Sequence, residues 1–594
     1  MYSNIFKNFK NITSFSQRII LACVITLIIF SSFFEIFALS TIPLFVAFIT
    51  RQEEFFSRFD EIFPFIYQVY MNNDLLILIT LIISIFILKT GLSLLSFYTL
   101  EKICYGISSY NARRLLKIYL DLPYLEVIKI GPSIIQRNIL ETKQITDWIS
   151  LNIKFLKELV LVCLIVILIF TQNNYYLFLI FLILFFFTVI LYFIVKNIIY
   201  KKSKENQQSM GYVLRSLSNT FSTIKSITLL NKKNFFLEYF NKKNISMNLN
   251  VAHVKFLLAG PKLILELFAV AILLFISYFY LNLNYSGEQT IVLVTMIAVF
   301  TIRLAPALSN MANALGAIEN RKPAVELVIK EIENSKYDQY NRNITKNFFG
   351  ESINTIDLKN INHTYDINSH PVLKNINVTF DAKKIIGLFG ESGAGKSTLI
   401  NILMCLINPT SGQIMINGKD GPSNRSSYFP YIGYVPQDIY LFEGSLKSNI
   451  ALGENDEEID FKRLDEVIEL CELKEFVERL PNKENFNITA DATNISGGQR
   501  QRIGLARTLY FRPNMLILDE STNQLDINTE KKLLNKLKEL YYDKVFIIIS
   551  HRLSTLELCD EKIYLGNQSV ETLKNLEEVR NKLLKIKHKE LNEN

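Results

Sequence analysis

Six apolar stretches precede residue 320, each near or above the ~20 residues an α-helix needs to cross a bilayer, and they constrain this chain more than any other feature. They lie near 18–49, 74–100, 149–170, 174–197, 256–281 and 289–312. Phe (44) and Tyr (28) far outnumber the single Trp, Trp148, as suits long buried or lipid-facing helices. The first stretch is about twice the length of a signal-peptide core and lacks a small-residue cleavage site, so it is expected to remain in the mature chain. A net charge of +8 over 594 residues is too small and too dispersed for a nucleic-acid binder. Cys23, Cys104, Cys163, Cys405, Cys471 and Cys559 have no paired spacing for a metal site or a disulfide framework, so they read as small apolar fillers in a reducing compartment.

Basic loops stay on the cytoplasmic side of a membrane, which fixes the expected orientation. Lys7, Lys10 and Arg18 precede the first span. Arg113, Arg114, Lys117, Arg137 and others separate spans two and three, and a second basic run from Lys201 to Lys243 separates four and five. The alternate loops are short or acidic, with Glu53, Glu54, Asp60, Glu61 and Asp74 in the first and Glu288 in the last. Both termini are therefore expected inside. The two inside loops keep helical periodicity over roughly 50 residues each, which predicts membrane helices that continue well into the cytoplasm. Residues 51–70 set Phe55, Phe56, Phe59, Ile62, Phe63 and Ile66 on one stripe, with Pro64 bending or dividing it. That is either a helix lying in the outer interface or a merely greasy connection.

Ionisable residues inside such spans are costly and usually face a cavity or a partner. Lys89 and Arg303 each lie about 14 residues in from the outer end of their spans, so about 21 Å deep at 1.5 Å per residue. Lys262, entering from the other side, falls in the same layer, roughly 9 Å from the inner edge of a ~30 Å core. Three cations in one layer suit a cavity that attracts an anionic head group. The competing reading is snorkelling to the inner interface. Glu266, one turn from Lys262, is placed to hold it, and Glu35 in span one is either a pathway residue or a counter-charge.

Composition changes after about 321, and from Ile353 short β-rich runs alternate with helical ones, an α/β pattern. The expected organisation is an all-α six-helix transmembrane domain over 1–330, a linker over 331–352 and an α/β ATPase domain over 353–594. A buried strand, 385–389, runs into Gly390, Glu391, Ser392, Gly393, Ala394, Gly395, Lys396, Ser397 and Thr398, the phosphate-binding loop pattern between strand and helix. Its glycines let backbone amides turn toward phosphates, Lys396 reaches the β and γ phosphates, Ser397 ligands Mg2+, and the helix end adds partial positive charge. The strand Met515–Leu518 delivers Asp519 to the metal and Glu520 to the attacking water. A third strand, 545–549, delivers Ser550 and His551 to the same edge.

Between these lies NISGGQRQRIGLARTLY (494–510), whose glycines free amides at the start of a helix and make a second anion site. ISGGQRQR, with LILDE and ISHR after it, resembles the nucleotide-binding domain of ABC transporters, and six spans ahead of it resemble the exporter-type half-transporters of that family. The resemblance implies that Tyr365 stacks on adenine, although a strand Tyr in an apolar patch is a rival reading. It also implies that Gln437 senses Mg2+ and the coupling helices, and that His551 contacts the γ phosphate. Ser496, Gly497, Gly498 and Gln499 would grip the ATP of a partner subunit, with Asp526 in the loop between sites. ATP and Mg2+ are the implied ligands and a homodimer the implied assembly.

Three positions depart from the family pattern: Ile495 where Leu is usual, Gln524 where Ala is usual, and ITADAT (488–493) in place of Val-Gly-Glu-x-Gly. The segments FFEIFALS (33–40), GPKLILELF (260–268) and IRLAPALSNM (302–311) resemble the lipid-linked oligosaccharide flippases of bacterial protein glycosylation. In those, basic residues of spans two, five and six meet a lipid pyrophosphate, which is where Lys89, Lys262 and Arg303 fall. The expectation is an ATP-driven flippase of the bacterial inner membrane for an amphipathic substrate with an anionic head, or else an exporter of drugs, peptides or other lipids.

Overall fold

The computed structural model describes residues 9–50, 64–72, 74–171, 175–281, 287–334, 353–365, 370–421, 428–489, 492–566 and 568–592. The chain divides into two compact units, Met1–Leu122 with Val127–Tyr337, and Pro123–Glu126 with Asp338–Asn594.

Six long helices carry the described part of the first unit: α1 Phe15–Ile49, α2 Leu75–Asp121, α3 Lys143–Thr171, α4 Tyr175–Ser222, α5 Lys233–Leu281 and α6 Gly287–Asn334. The expected spans fall one in each. Ser14 starts α1 with a capping box, its hydroxyl accepting from the Gln17 amide while the Gln17 side chain accepts from the Ser14 amide. At 47 residues α2 is about 70 Å long, more than twice a bilayer core, so the helix continues beyond the apolar stretch that begins it. Among the described residues three helices, Phe15–Ile49, Leu75–Asp121 and Phe181–Ser222, are long and apolar enough to cross a membrane. The other three spans lie in α3, α5 and α6, which carry Lys157 and Glu158, Lys262 and Glu266, and Arg303.

Among the described residues a small core gathers Leu44, Ala47, Phe48, Val69 and Leu78, and two larger ones hold the rest of this unit. One gathers Leu161, Val162 and Ile165 of α3 with Leu184, Leu265 and the apolar face Leu304, Ala307 and Leu308 of α6. The other gathers Leu21, Cys104, Leu115, Trp148 and Ile149 with Val325, Val328, Ile329 and Ile332. That last set explains a difference from the expected boundary. Val325 to Ile332 keeps helical apolar spacing and is buried, so α6 runs on to Asn334, into the segment read as linker. The stripe at 51–63 lies outside the described residues. The described chain resumes with the helix Pro64–Met71.

In the second unit the strands are β1 Thr355–His363, β2 Leu373–Asp381, β3 Ile385–Gly390, β4 Ser411–Ile416, β5 Lys419–Asp420, β6 Ile432–Val435, β7 Gly444–Ser445, β8 Asn487–Ile488, β9 Met515–Asp519, β10 Val545–Ile549, β11 Glu561–Gly566 and β12 Ser569–Leu573. The main sheet runs β12-β11-β3-β10-β9-β6. Its strands β11, β3, β10, β9 and β6 are parallel neighbours. Both of its faces are covered, which is why these strands read as unbroken apolar runs. Leu516, Leu518, Phe546 and Ile548 enter one core, and Met515, Ile517, Val545, Ile547 and Ile549 the other. The register sets Ile549 beside both Leu388 and Asp519, and Val435 beside Leu518. The loops leaving β3, β10, β9 and β6 therefore emerge along one edge.

Of the cysteines expected to be apolar fillers, Cys104 is buried in the first unit, whereas Cys23 and Cys163 are exposed. Cys405, Cys471 and Cys559 are buried in the second unit, and burial pushes the Cys559 thiol up to about 12. A water-soluble maleimide is expected to spare these three in the folded protein and to label them in SDS. Labelling of Cys559 in the native state would contradict this packing.

Candidate nucleotide site

β3 is buried along its whole length and ends at Gly390, where a Cβ would lie 2.0 Å from the Leu565 carbonyl oxygen. The loop then turns through Gly393 (φ +77°) and Gly395 (φ +98°), left-handed conformations that favour glycine. It enters α7, Lys396–Leu403, with Gly395 at the cap. Lys396 Nζ donates to the carbonyls of Gly390 (2.7 Å) and Glu391 (2.9 Å), so the ammonium lies across the loop it serves. Ser397 is exposed in the first turn of α7. Thr398, buried, lies 2.9 Å by its hydroxyl from that of Tyr365, whose ring meets His363 edge-on at 4.9 Å. This bond brings the residue expected at adenine to the phosphate-loop helix.

At the end of β9, Asp519 Oδ2 accepts from the Tyr434 hydroxyl at 2.9 Å. Burial pushes the Asp519 carboxyl above the ordinary range and the Glu520 charge adds to this, while the Tyr434 bond and the Lys396 charge pull it back. Burial likewise keeps the Tyr434 phenol a donor, raising its pKa well beyond the usual value. Glu520 adopts φ +48° and its amide donates to the Ile549 carbonyl at 3.0 Å, which turns its side chain out of the sheet. Its Oε1 lies 3.1 Å from His551 Nε2, and its Oε2 accepts from Asn523 Nδ2 at 3.2 Å. Gln437 sits exposed in the bend that follows β6, on the same edge.

The glycine-led helix is α8, Gly497–Tyr510. Ser496 caps it, its hydroxyl accepting from the Gln499 amide (3.3 Å) while Gln499 Oε1 accepts from the Ser496 amide (2.9 Å). The Gln499 side chain thus closes a capping box. Asp526 caps α9, Ile527–Leu540, accepting from the amides of Asn528 (3.2 Å) and Thr529 (3.0 Å). For both residues the local cap is a role that the motif pattern did not supply. In the atypical segment Thr489 bonds Thr493 and Asn494, while Ala490 and Asp491 lie outside the described residues.

In the first unit the charges expected within the spans meet partners. Arg303 Nη2 lies 2.7 Å from Glu35 Oε1 and 3.5 Å from Glu158 Oε2. Lys157 Nζ lies 3.4 Å from Glu35 Oε2, and Asn310 Nδ2 donates to Glu158 Oε1 at 3.0 Å. Glu35 is thus the counter-charge of Arg303. Lys262 pairs with Glu266 at 3.8 Å, both half-exposed. Lys89 lies over the Phe86 ring at 5.7 Å. Lys157 and Glu158 were not singled out from the sequence, although KFLKE inside the 149–170 span carried the signal. Tyr434 and Asn523 were missed because a strand tyrosine and a loop asparagine have no distinctive spacing.

A helical membrane domain joined to a phosphate-loop ATPase domain is the class that this fold and site define. Residues 19–304 match the ABC transporter transmembrane region and residues 373–523 match the ABC transporter family. The chain belongs to the ABC transporter family and has the exporter half-transporter arrangement, membrane and ATP-binding domains fused in one chain. It is 36% identical over 221 residues to an export ATP-binding/permease protein of Rickettsia bellii, covering 36% of this chain and 38% of that protein. It is 35% identical over 208 residues to the ATP-dependent lipid A-core flippase of Cupriavidus pinatubonensis, 35% of each chain. With the flippase of the same name from Photorhabdus laumondii it shares 29% over 367 residues, 60% of this chain and 61% of that one. The chain thus spans under two-fifths of the first of these relatives. Its fold matches that of a bacterial Atm1-family ABC exporter with ATP bound, with a TM-score of 0.78 over 96% of this chain and 99% of that one, at 16% identity.

Proposed function

We propose that this chain is an ATP-driven exporter or flippase of the bacterial inner membrane that works as a homodimer on an amphipathic substrate with an anionic head, a lipid-linked saccharide. The observation that carries the ATPase reading is Glu520 Oε1 3.1 Å from His551 Nε2 on the sheet edge that also bears the phosphate loop. Glu520, hydrogen-bonded by Asn523, is placed to accept a proton from water as its oxygen attacks the γ phosphorus. The bond from that phosphorus to the bridging oxygen breaks, leaving ADP and phosphate. Lys396 exchanges its loop carbonyls for phosphate oxygens, Tyr365 offers its ring to adenine, and His551 reaches the γ phosphate. Ser496, Gly497 and Gly498 close on the ATP of the partner chain.

The oxygen donors Ser397, Gln437 and Asp519 fit Mg2+, a hard cation, and the half-buried Asp519 carboxyl gains a counter-charge from it. Bound there, the ion neutralises phosphate charge. The Tyr434 hydroxyl orients the Asp519 carboxylate from behind, so Tyr434→Phe is expected to raise the Mg2+ needed for half-maximal hydrolysis by about 10-fold or more, with turnover recovered at saturating Mg2+. An unchanged Mg2+ profile would contradict this role.

Two lipid A-core flippases among the relatives support a lipid substrate. The basic inner loops support cytoplasmic termini and ATPase domain. Lys89, Lys262 and Arg303 remain the residues proposed to meet the head group, with Glu266 and Glu35 holding the latter two until an anion competes. The test is ATP hydrolysis in liposomes with polyprenyl-pyrophosphate-linked sugars and with common drugs. Stimulation by the lipids, lost in Lys89→Ala, is expected. A flat response to the lipids with stimulation by drugs would overturn the substrate reading.

A further inference from the structure

We propose that a polar cavity among α3, α4, α5 and α6, beyond their apolar stretches, is a saccharide subsite that takes the hydroxyl-bearing part of the head group. This rests on the lipid-linked saccharide reading above. The cavity measures about 510 Å³, within the ~300–1,000 Å³ usual for small-molecule sites. Gln144 of α3, Asn206 and Gln207 of α4, Asn250 of α5 and Asn320 of α6 line it, with Glu141 just ahead of α3. Each of the four helices thus brings a carboxamide. Asn250 precedes Lys262 by 12 residues and Asn320 follows Arg303 by 17, about 18 and 25 Å along their helices toward the basic loops. A head group of several sugars whose phosphates meet those cations therefore extends to this level.

The unmatched polar atoms point to hydroxyls. Gln144 Oε1, Asn206 Oδ1 and Gln207 Nε2 are buried with no hydrogen-bond partner among the described residues, so two acceptors and a donor carry a desolvation cost that nothing recovers. Asn250, 7% exposed, is a further buried carboxamide. A phosphate only accepts and an ammonium only donates, whereas a hydroxyl does both and matches a carboxamide at either end. The charges around the cavity do not single out an anion. Arg137 donates to Asn138 Oδ1 at 2.7 Å and Arg321 pairs with Asp147 at 3.0 Å, while Lys255 is balanced in number by Glu141. Burial holds the Glu141 carboxyl above the ordinary range, with Arg137 and Arg321 pulling it back, and its oxygens add acceptors for neighbouring hydroxyls.

The test is stimulation of ATP hydrolysis by the full chain in liposomes. It compares a polyprenyl-pyrophosphate-linked disaccharide with the methyl ester of the same lipid pyrophosphate, equal in charge and tail but without sugar. The wild type is expected to reach half-maximal stimulation at about 10-fold lower concentration of the glycosylated lipid, the worth of one or two hydrogen bonds. In Asn250→Leu, which keeps the size and removes the carboxamide, the two concentrations are expected to converge. Gln207→Leu, on a different helix, is expected to do the same and carries the test if the first variant does not fold. A merely structural role would move both concentrations together, so the wild-type ratio in both variants would overturn the subsite and leave the substrate reading intact. Equal stimulation of the wild type by the two lipids would mean that the cavity holds water alone, which also overturns the subsite. A wild type stimulated by neither lipid would overturn the substrate reading and the subsite together.

Discussion

Glu520→Gln is expected to cut ATP hydrolysis by about 10²- to 10⁴-fold while ATP stays bound, the loss that follows when a positioned general base is removed. The geometry makes this variant informative. Glu520 is held at φ +48° by the hydrogen bond its amide donates to the Ile549 carbonyl, and its carboxylate is fixed by Asn523 and His551 together. Glutamine keeps the size and the Asn523 contact at its carbonyl oxygen but cannot take a proton. The measurement is phosphate release against ATP retained after rapid gel filtration. Fast release by the variant would mean that another group handles the proton and that the pairing with His551 is not the catalytic one.

Glu35→Ala is expected to lower the stability of the membrane unit by about 3–5 kcal/mol, the cost of breaking a buried ion pair from one side. Glu35 and Glu158 balance Arg303 and Lys157, and the side chains of Glu35, Glu158 and Arg303 are under a fifth exposed. Without Glu35, Arg303 keeps only its 3.5 Å contact with Glu158 and Lys157 loses its partner. The double variant Glu35→Leu with Arg303→Met removes one charge of each sign and should unfold at a higher temperature than Glu35→Ala. The check is thermal unfolding in detergent. A Glu35→Ala protein as stable as the wild type would mean that water or lipid head groups already solvate the cluster.

That cluster also marks where sequence reading stopped. Depth arithmetic placed Lys89, Lys262 and Arg303 in one layer, but it could not say which helices face one another, because rotation about each axis is set by packing. The pairing of Arg303 with Glu35 needs α1 and α6 side by side, and the contribution of Lys157 and Glu158 needs α3 there too. By contrast, the strand, glycine turn and helix of the candidate site were legible from consecutive residues. A phosphate loop demands a strand, a glycine turn and a helix in consecutive residues, so Lys384 to Thr398 announces itself without any tertiary information. Glu520 and His551 were legible as residues that follow buried strands, and the parallel order β3-β10-β9 then places them together. Tyr434, Asn523 and the contact of Gln524 with Gly497 arise from registers between distant segments, which no local pattern encodes.

The central claim, that each ATP is held by the phosphate loop of one chain and the α8 tip of another, is tested most directly by complementation. Lys396→Ala disables the first element and Ser496→Arg the second, so each homodimer should neither trap nor hydrolyse ATP. In a mixed dimer both lesions fall on one site, and the other site joins an intact loop to an intact tip. Co-reconstitution of the two variants is therefore predicted to restore hydrolysis and ATP trapping at a single site per dimer. If mixed dimers form and stay as inactive as the parents, loop and tip of the same chain serve the same nucleotide, and the shared-site account is wrong.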